Sequence, residues 1–323
     1  MIITRTPLRV SFCGGGTDLD NFAVNEPDGG RVVSMAIDRY VYVTLNQRFD
    51  NRIRVSYSSI ENVDSVGEIQ HALVREAMRL TGVKSGVEVT TIADIPGRGT
   101  GLGSSSSLTV GLLNALHALQ GRKPTKDQLA EEACMIEIDI LGAPIGRQDQ
   151  YAAAFGGINS IRFGSQGVTV EPITLLEGMS EEISNKFSLV YTGITRSASE
   201  VLRDSSHSSH ERDSRFREIR GQADLAARMV EKGDLDSLGV ILNEAWLSKR
   251  GTSSNISTSD IDELHETLTS LGAKGAKLLG AGSGGFFLVY GEQGLREKIS
   301  SELGSEHRVL PVGIDFSGSE VIF

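Results

Sequence analysis

Pro96-Gly-Arg-Gly-Thr-Gly-Leu-Gly-Ser-Ser-Ser-Ser-Leu108 is the stretch on which the reading of this chain turns. Gly97, Gly99, Gly101 and Gly103 alternate, with Thr100 and Leu102 between the later ones. One run of backbone is therefore nearly free of bulky side chains, and its N–H groups can turn inward onto an anion. Ser104, Ser105, Ser106 and Ser107 follow, and Leu108, Leu112, Leu113, Leu116 and Leu119 recur at helical spacing. This predicts a helix over Ser104–Leu119 whose positive end faces whatever the loop holds. Serine hydroxyls at that end can cap the helix, bind phosphate or reach a phosphate-bound magnesium ion. No Lys follows the last glycine, so the loop is not a Walker A sequence. By itself the segment supports nucleotide binding.

Upstream, short β-branched and aromatic runs predict strands at Ile2–Phe12, Arg31–Ile37, Tyr40–Arg48, Arg52–Ser58 and Val87–Ile95, with one helix near Glu68–Leu80. Downstream, Thr125 with Gln128 three residues on reads as a capping box opening a helix to about Leu141, stopped by Gly142 and Pro144. Ile158–Phe163 and Val168–Ile173 read as a hairpin, and Phe187–Tyr191 as a strand. Residues 196–272 have a helical pattern broken at Gly233 and Gly251–Ser257. Lys277–Leu279, Gly284–Tyr290 and His307–Asp315 return to strand around a helix near Gln293–Leu303. The expected fold class is α+β, with two closely fused domains, residues 1–175 and 176–323, and an active site in the cleft between them.

Two more glycine clusters stand out. Pro7-Leu-Arg-Val-Ser-Phe-Cys-Gly-Gly-Gly-Thr-Asp18 brings Arg9 off a strand into a turn, Gly15 and Gly16, that presents Thr17 and Asp18. Gly280-Ala-Gly-Ser-Gly-Gly285 fits G-x-G-x-x-G as a string, but strand-like Phe286–Tyr290 follows where a dinucleotide fold needs a helix. A close approach of Gly282 and its neighbours to a ligand or another segment suits it better.

The chain carries 32 basic and 42 acidic residues, a net charge of −10, which argues against a nucleic-acid surface. Its two cysteines make neither a disulfide framework nor a zinc site, and its six histidines are scattered. No signal-peptide pattern opens the sequence and no apolar run reaches membrane-span length, so a cytoplasmic enzyme without membrane partners is expected. The sequence is compatible with a homodimer.

The three glycine clusters, in this order, resemble the signature of the GHMP kinase superfamily (galactokinase, homoserine kinase, mevalonate kinase, phosphomevalonate kinase). Pro96–Ser105 matches its P-x-x-x-G-L-G-S-S motif, Pro7–Asp18 its first motif and Lys277–Phe287 its third. The resemblance implies a ribosomal-protein-domain-like N-terminal half and a ferredoxin-like C-terminal half. Within the superfamily the chain looks like the D-glycero-D-manno-heptose 7-phosphate 1-kinases, on Thr6–Ser11, Gly14–Leu19, Gly101–Ser107, Ile136–Asp139, Pro144–Gly157 and Tyr191–Ser199. Ser283 stands where that subgroup usually has glycine.

From the resemblance come the roles. ATP would lie on Pro96–Ser107, with Mg²⁺ on Glu137 and Ser105. Asp149 would meet the acceptor hydroxyl, with Arg9 steering it or stabilising the transferring group. Gly15, Gly16, Thr17, Asp18, Gln148 and Gly282 would hold a phosphosugar, with Arg147 and Arg196 on its distal phosphate. Asp149 is expected in a turn beyond the helix stop. Alternatives left open are a relative acting on L-fucose, galactose or an octose 8-phosphate, a non-catalytic sugar sensor, and a dehydrogenase on Gly280–Gly285.

Overall fold

The computed structural model describes the 323-residue chain except residues 96–98, 196–209 and 254. The expectations placed on Pro96, Gly97 and Arg196 therefore lie outside the described residues. Strands and helices are numbered below in chain order.

Strand β1 (Ile2–Cys13) pairs antiparallel with β2 (Gly30–Gln47), an 18-residue strand that absorbs both Arg31–Ile37 and Tyr40–Arg48. The sequence suggests a break there because Asp38 and Arg39 interrupt the apolar run. The strand runs on through them, but neither faces a β1 residue: the register passes from Tyr40 opposite Pro7 to Ile37 opposite Leu8, a bulge at Asp38 and Arg39 where the Asp38 N–H donates to the Gly313 carbonyl, and a second shift falls between Ser11 and Cys13. Arg9 sits between these two shifts, where the strand changes twist. Strands β3 (Ile53–Ser56), β4 (Ile60–Val63), β5 (Val87–Ala93), β6 (Ile158–Gly164) and β7 (Gly167–Pro172) complete most of this sheet. The short β12 (Glu320–Val321) returns from the far end of the chain to pair with β1. No sequence pattern marks a two-residue strand.

Helices α2 (Ala72–Thr81), α3 (Ser104–Leu119), α4 (Lys126–Cys134) and α5 (Gln148–Phe155) cover this sheet, after the one-turn α1 (Asp20–Ala23). Helix α3 has the predicted bounds because its leucines pack into the core between sheet and helices. Thr125 caps α4 by accepting from the Gln128 N–H, but the Gln128 side chain turns to Glu132, so only half of the capping box forms. The expected run to Leu141 is not one α-helix. After Cys134 it widens into a π-helical turn, Met135–Ile140.

The second sheet holds β11 (Val309–Pro311), β8 (Phe187–Tyr191), β10 (Phe286–Tyr290) and β9 (Gly275–Leu278) in that order, all antiparallel. This is the ferredoxin-like order. Helices α6 (Met179–Lys186), α7 (His210–Lys232), α8 (Leu235–Arg250), α9 (Ser259–Ser270) and α10 (Leu295–Glu302) accompany it. One core runs through both halves: Leu8, Val10, Phe12, Met35 and Ile37 pack in the same cluster as Phe187, Leu189, Ala226, Leu242, Leu279 and Leu288. Among the described residues no helix is long and apolar enough to cross a membrane.

The shared core makes the two sheets one cooperative unit. Leu288→Ala is expected to cost about 2–5 kcal/mol. The unfolding curves of Trp246 fluorescence and far-UV circular dichroism in urea should then shift together. Two separated transitions would show independent halves.

Candidate active site

The phosphate loop is built by close backbone packing. Gly101 has φ +76°, and a Cβ there would lie 2.6 Å from the Leu279 carbonyl oxygen. A Cβ on Gly280 would meet the Gly101 Cα at 2.4 Å, and one on Gly285 the Thr100 carbonyl oxygen at 2.4 Å. The second and third glycine clusters are thus pressed together backbone to backbone. That is why Gly280–Gly285 needs glycines without being a dinucleotide fingerprint. Ser283 departs from this rule: it takes φ +59° and is held there by its N–H on the Ile256 carbonyl and its hydroxyl on the Asn255 carbonyl. Gly282 is buried against the backbone of Ile256.

Gly103 is the N-cap of α3 and carries φ +75°, with no side chain capping the helix. The serines are engaged elsewhere. Ser107 donates to the Pro7 carbonyl at 2.7 Å, and Ser104 lies 3.4 Å from the Thr100 hydroxyl. Ser106 is buried, while Ser105 is exposed and donates to Glu137 at 2.5 Å. The N–H groups at the helix start therefore face the loop uncapped by side chains, which suits an anion.

Glu137 lies in the π turn, which aims it at Ser105; π turns are frequent at functional sites. It is 2% exposed and also accepts from the Gln150 amide at 2.7 Å. Burial pushes its carboxyl above the usual range. The Ser105 and Ser106 hydroxyls and Gln150 pull the other way, and Asp149 adds to the rise. All its bonded partners are neutral. A buried carboxylate beside an exposed hydroxyl fits a hard divalent cation that also takes phosphate oxygens. No cluster of three His, Cys, Asp or Glu occurs among the described residues, so such an ion would depend on the nucleotide for its remaining ligands.

Asp149 is on the first turn of α5, not in a loop as its position after Gly142–Pro144 suggests, because the chain re-enters a helix at Gln148. Arg9 grips it with both arms, Nε to Oδ1 and Nη2 to Oδ2, each at 2.8 Å. The third guanidinium nitrogen donates to the Gly101 carbonyl at 2.6 Å, and the Arg9 backbone N–H to Leu102 at 3.0 Å. Arg9 is 4% exposed and joins strand, acid and phosphate loop. A Cβ on Gly103 would lie 3.2 Å from both the Arg9 Cγ and the Asp149 Oδ2.

The first glycine turn presents Asp18 beside Asp149. Asp18 accepts from Gly16 N–H at 2.9 Å, from Gln148 N–H at 3.2 Å and from the Gln148 side-chain amide at 3.1 Å. Burial, then the neighbouring Asp149, raises its pKa. A Cβ on Gly15 would make ordinary contacts with the Gln148 amide nitrogen at 3.6 Å and the Ser11 hydroxyl at 3.9 Å, whereas Gly16 is covered by the ring of Phe216 from α7. Thr17 does not face the cleft: its hydroxyl is fully buried against the Gly14 and Arg31 carbonyls and accepts from the Arg31 N–H. It braces the turn, because a buried hydroxyl must find partners where it lies. Arg147 forms a two-armed pair with Asp20 at 2.7 Å, so its charge is already matched.

Sequence reasoning missed three residues. A Cβ on Gly146 would lie 1.9 Å from Asp18 Oδ2, so only glycine leaves room for that carboxylate. Lys249, half-buried, and Lys277, buried, are cations near Arg9. Lys249 donates to the Gly280 carbonyl and Lys277 to the Ser11 carbonyl and hydroxyl. Lys277 stands at the edge of the third cluster, whereas Lys249 lies 31 residues before Gly280 and carries no local signal. Cys13 and Cys134 are buried free thiols; burial pushes Cys13 up to about 12 and Cys134 up likewise, so neither is a nucleophile.

Comparison with known families places the chain as follows. The family model for the GHMP kinases N terminal domain matches residues 68–157, and that for the GHMP kinases C terminal region matches residues 224–308. Together they take in more than half of the chain, which belongs to the GHMP kinase superfamily and is a kinase, a phosphotransferase. Kinases of this superfamily use ATP. A D-glycero-alpha-D-manno-heptose 7-phosphate kinase of Campylobacter jejuni is 29% identical over 90% of this chain and 89% of its own length. A galactokinase of a Roseiflexus species is 27% identical over 88% and 82%. The crystal structure of a D-glycero-D-manno-heptose 1-phosphate kinase from Bacteroides thetaiotaomicron superposes with a TM-score of 0.80 at 23% identity, covering 100% of this chain and 99% of that one.

Because Gly146 makes room for Asp18, Gly146→Ala is expected to displace that carboxylate. A misplacement of about 1 Å can cost about 10²-fold. kcat/KM for the acceptor should fall on that scale while ATP affinity, measured by calorimetry, stays within a few-fold. An unchanged kcat/KM would remove Asp18 from acceptor binding.

Proposed function

We propose that this kinase transfers the terminal phosphoryl group of ATP to the anomeric hydroxyl of D-glycero-α-D-manno-heptose 7-phosphate, forming the 1,7-bisphosphate and ADP in a cytoplasmic route to nucleotide-activated heptose. The observation that carries the reaction is the Arg9–Asp149 pair, locked to Gly101 beside the uncapped start of α3. The Campylobacter relative supports the choice of sugar.

In this reading the ATP phosphates lie on the N–H groups of residues 99–103 and the α3 start. The bond from the bridging oxygen to the terminal phosphorus breaks, and the bond from the acceptor oxygen to that phosphorus forms. The acceptor proton passes to Asp149, which Arg9 holds in place. Asp18, kept in position by Gln148 and Gly16, orders the acceptor hydroxyls; a buried polar reader of this kind rejects sugars that leave it unpaired. Ser105 and Glu137 would hold Mg²⁺. Bound there, it would neutralise phosphate charge. The two domains are proposed as residues 1–175 and 176–323, with β12 crossing back to the first sheet.

The Arg147–Asp20 pair favours a second reading, in which the acceptor carries no distal phosphate and is a free sugar such as galactose or L-fucose. The assay that separates the two is ADP release across hexoses, heptoses and their terminal phosphates. Turnover on heptose 7-phosphate at least tenfold above free sugars supports the first reading. Preference for a free sugar overturns it. Arg147→Glu should raise KM for a phosphosugar and leave KM for a free sugar nearly unchanged.

Two further outcomes test the roles. Asp149→Asn should abolish turnover and leave ATP binding nearly intact; an unchanged kcat would remove Asp149 from the mechanism. Glu137→Gln should raise the Mg²⁺ concentration for half-maximal activity by about tenfold or more, since it deletes the one protein carboxylate assigned to the ion. The same Mg²⁺ dependence as the parent would displace Glu137 from that role.

A further inference from the structure

Lys249 stands in the last turn of α8, in the C-terminal half, yet the opposite charges around it belong to the other half. Arg9 from β1, Asp18 from the first glycine turn and Asp149 from α5 face it, and Lys277 of β9 is its cationic neighbour. Its ammonium donates to the Gly280 carbonyl. Gly280 is itself pressed on Gly101, whose carbonyl Arg9 holds from the other side. The two cations thus flank one point of the phosphate loop.

They differ in what they have left to offer. Arg9 is 4% exposed, and its three nitrogens are engaged by Asp149 and Gly101. Lys249 is partly exposed, and Gly280 is its one hydrogen-bond partner among the described residues. An ammonium has three donors, so two remain. Asp18, meanwhile, is held only by neutral donors. Arg9 is matched by Asp149, and Glu137 is bonded to Ser105 and Gln150. A phosphoryl group leaving the α3 end for an acceptor on Asp149 would move toward carboxylates, and its negative charge is spread over three oxygens.

We propose that Lys249 is a catalytic cation supplied by the C-terminal half, whose free N–H groups meet the oxygens of the phosphoryl group in transit. This rests on the kinase reading above. A preorganised donor aimed at transition-state charge acts on kcat more than on ground-state binding. Enclosure and the nearby Arg9 lower the Lys249 pKa to about 8, with Asp18 and Asp149 opposing them. Its charge is therefore present below that pH and lost as pH rises through it.

The variants are Lys249→Met and Lys249→Arg, each checked for a native melting temperature. Lys249→Met should lower kcat by about 10²–10³-fold, the scale for losing one such donor, with KM for ATP and for the acceptor within a few-fold. The kcat/KM profile of the parent should fall above about pH 8, and Lys249→Arg should move that limb upward, because a guanidinium stays charged. An unchanged kcat overturns the proposal. So does a loss expressed only as a raised acceptor KM, or an alkaline limb that stays in place in Lys249→Arg, which would point to Lys277. If Lys249→Met does not fold, the Lys249→Arg profile decides. One measurement needs no known acceptor: affinity for MgADP with aluminium fluoride should drop at least tenfold in Lys249→Met while affinity for MgADP alone is kept. Equal affinities sink the role of Lys249 even if the acceptor panel finds no substrate, whereas a silent panel with the expected drop faults only the choice of acceptor.

Discussion

Everything at the cleft depends on a two-armed ion pair between Arg9 and Asp149. Charge-assisted, bidentate pairs are among the stronger and most directional contacts a protein makes. This one is almost out of water, at 5% exposure for the arginine side chain and 22% for the aspartate. Breaking such a pair on one side strands a charge in low dielectric, so the partners hold each other in one geometry. The arginine also grips Gly101, so the acid, the first strand and the phosphate loop share one reference frame.

The rest of the fold serves that frame. Glycines at 101, 280 and 285 allow backbone to approach backbone where any side chain would collide, and Gly103 leaves room for the Arg9 and Asp149 side chains. Gly146 does the same for the Asp18 carboxylate. The continuous core beneath, from Leu8 to Leu288, keeps the two sheets from drifting, so residues such as Lys249 can reach a site built mainly by the other half. The π turn after Cys134 adds one residue to the helix period and aims Glu137 at Ser105.

Much of this was legible from local pattern. The bounds of α3 follow from the spacing of its leucines, and the Thr125 cap from its chemistry. The G-x-G-x-x-G string at 280–285 was set aside because a strand follows it, and β10 begins at Phe286. Other readings failed where pairing or packing overrode local signals. Asp38 and Arg39 look like a strand end but form a bulge inside one long strand, skipped by β1. Thr17 looks like a sugar reader but is buried under the turn.

By itself, the sequence determined most element types, the glycine-serine loop and the membership signature, because those depend on periodicity and on which residues lack side chains. Only the tertiary structure decided which polar groups remain available. It matched Arg147 to Asp20, buried the Thr17 hydroxyl, required glycine at 146 and brought Lys249 to the acids. The physical reason is that hydrogen-bond satisfaction and charge pairing are settled by which groups the folded chain brings together, as with Arg147 and Asp20, 127 positions apart, and no local spacing encodes them.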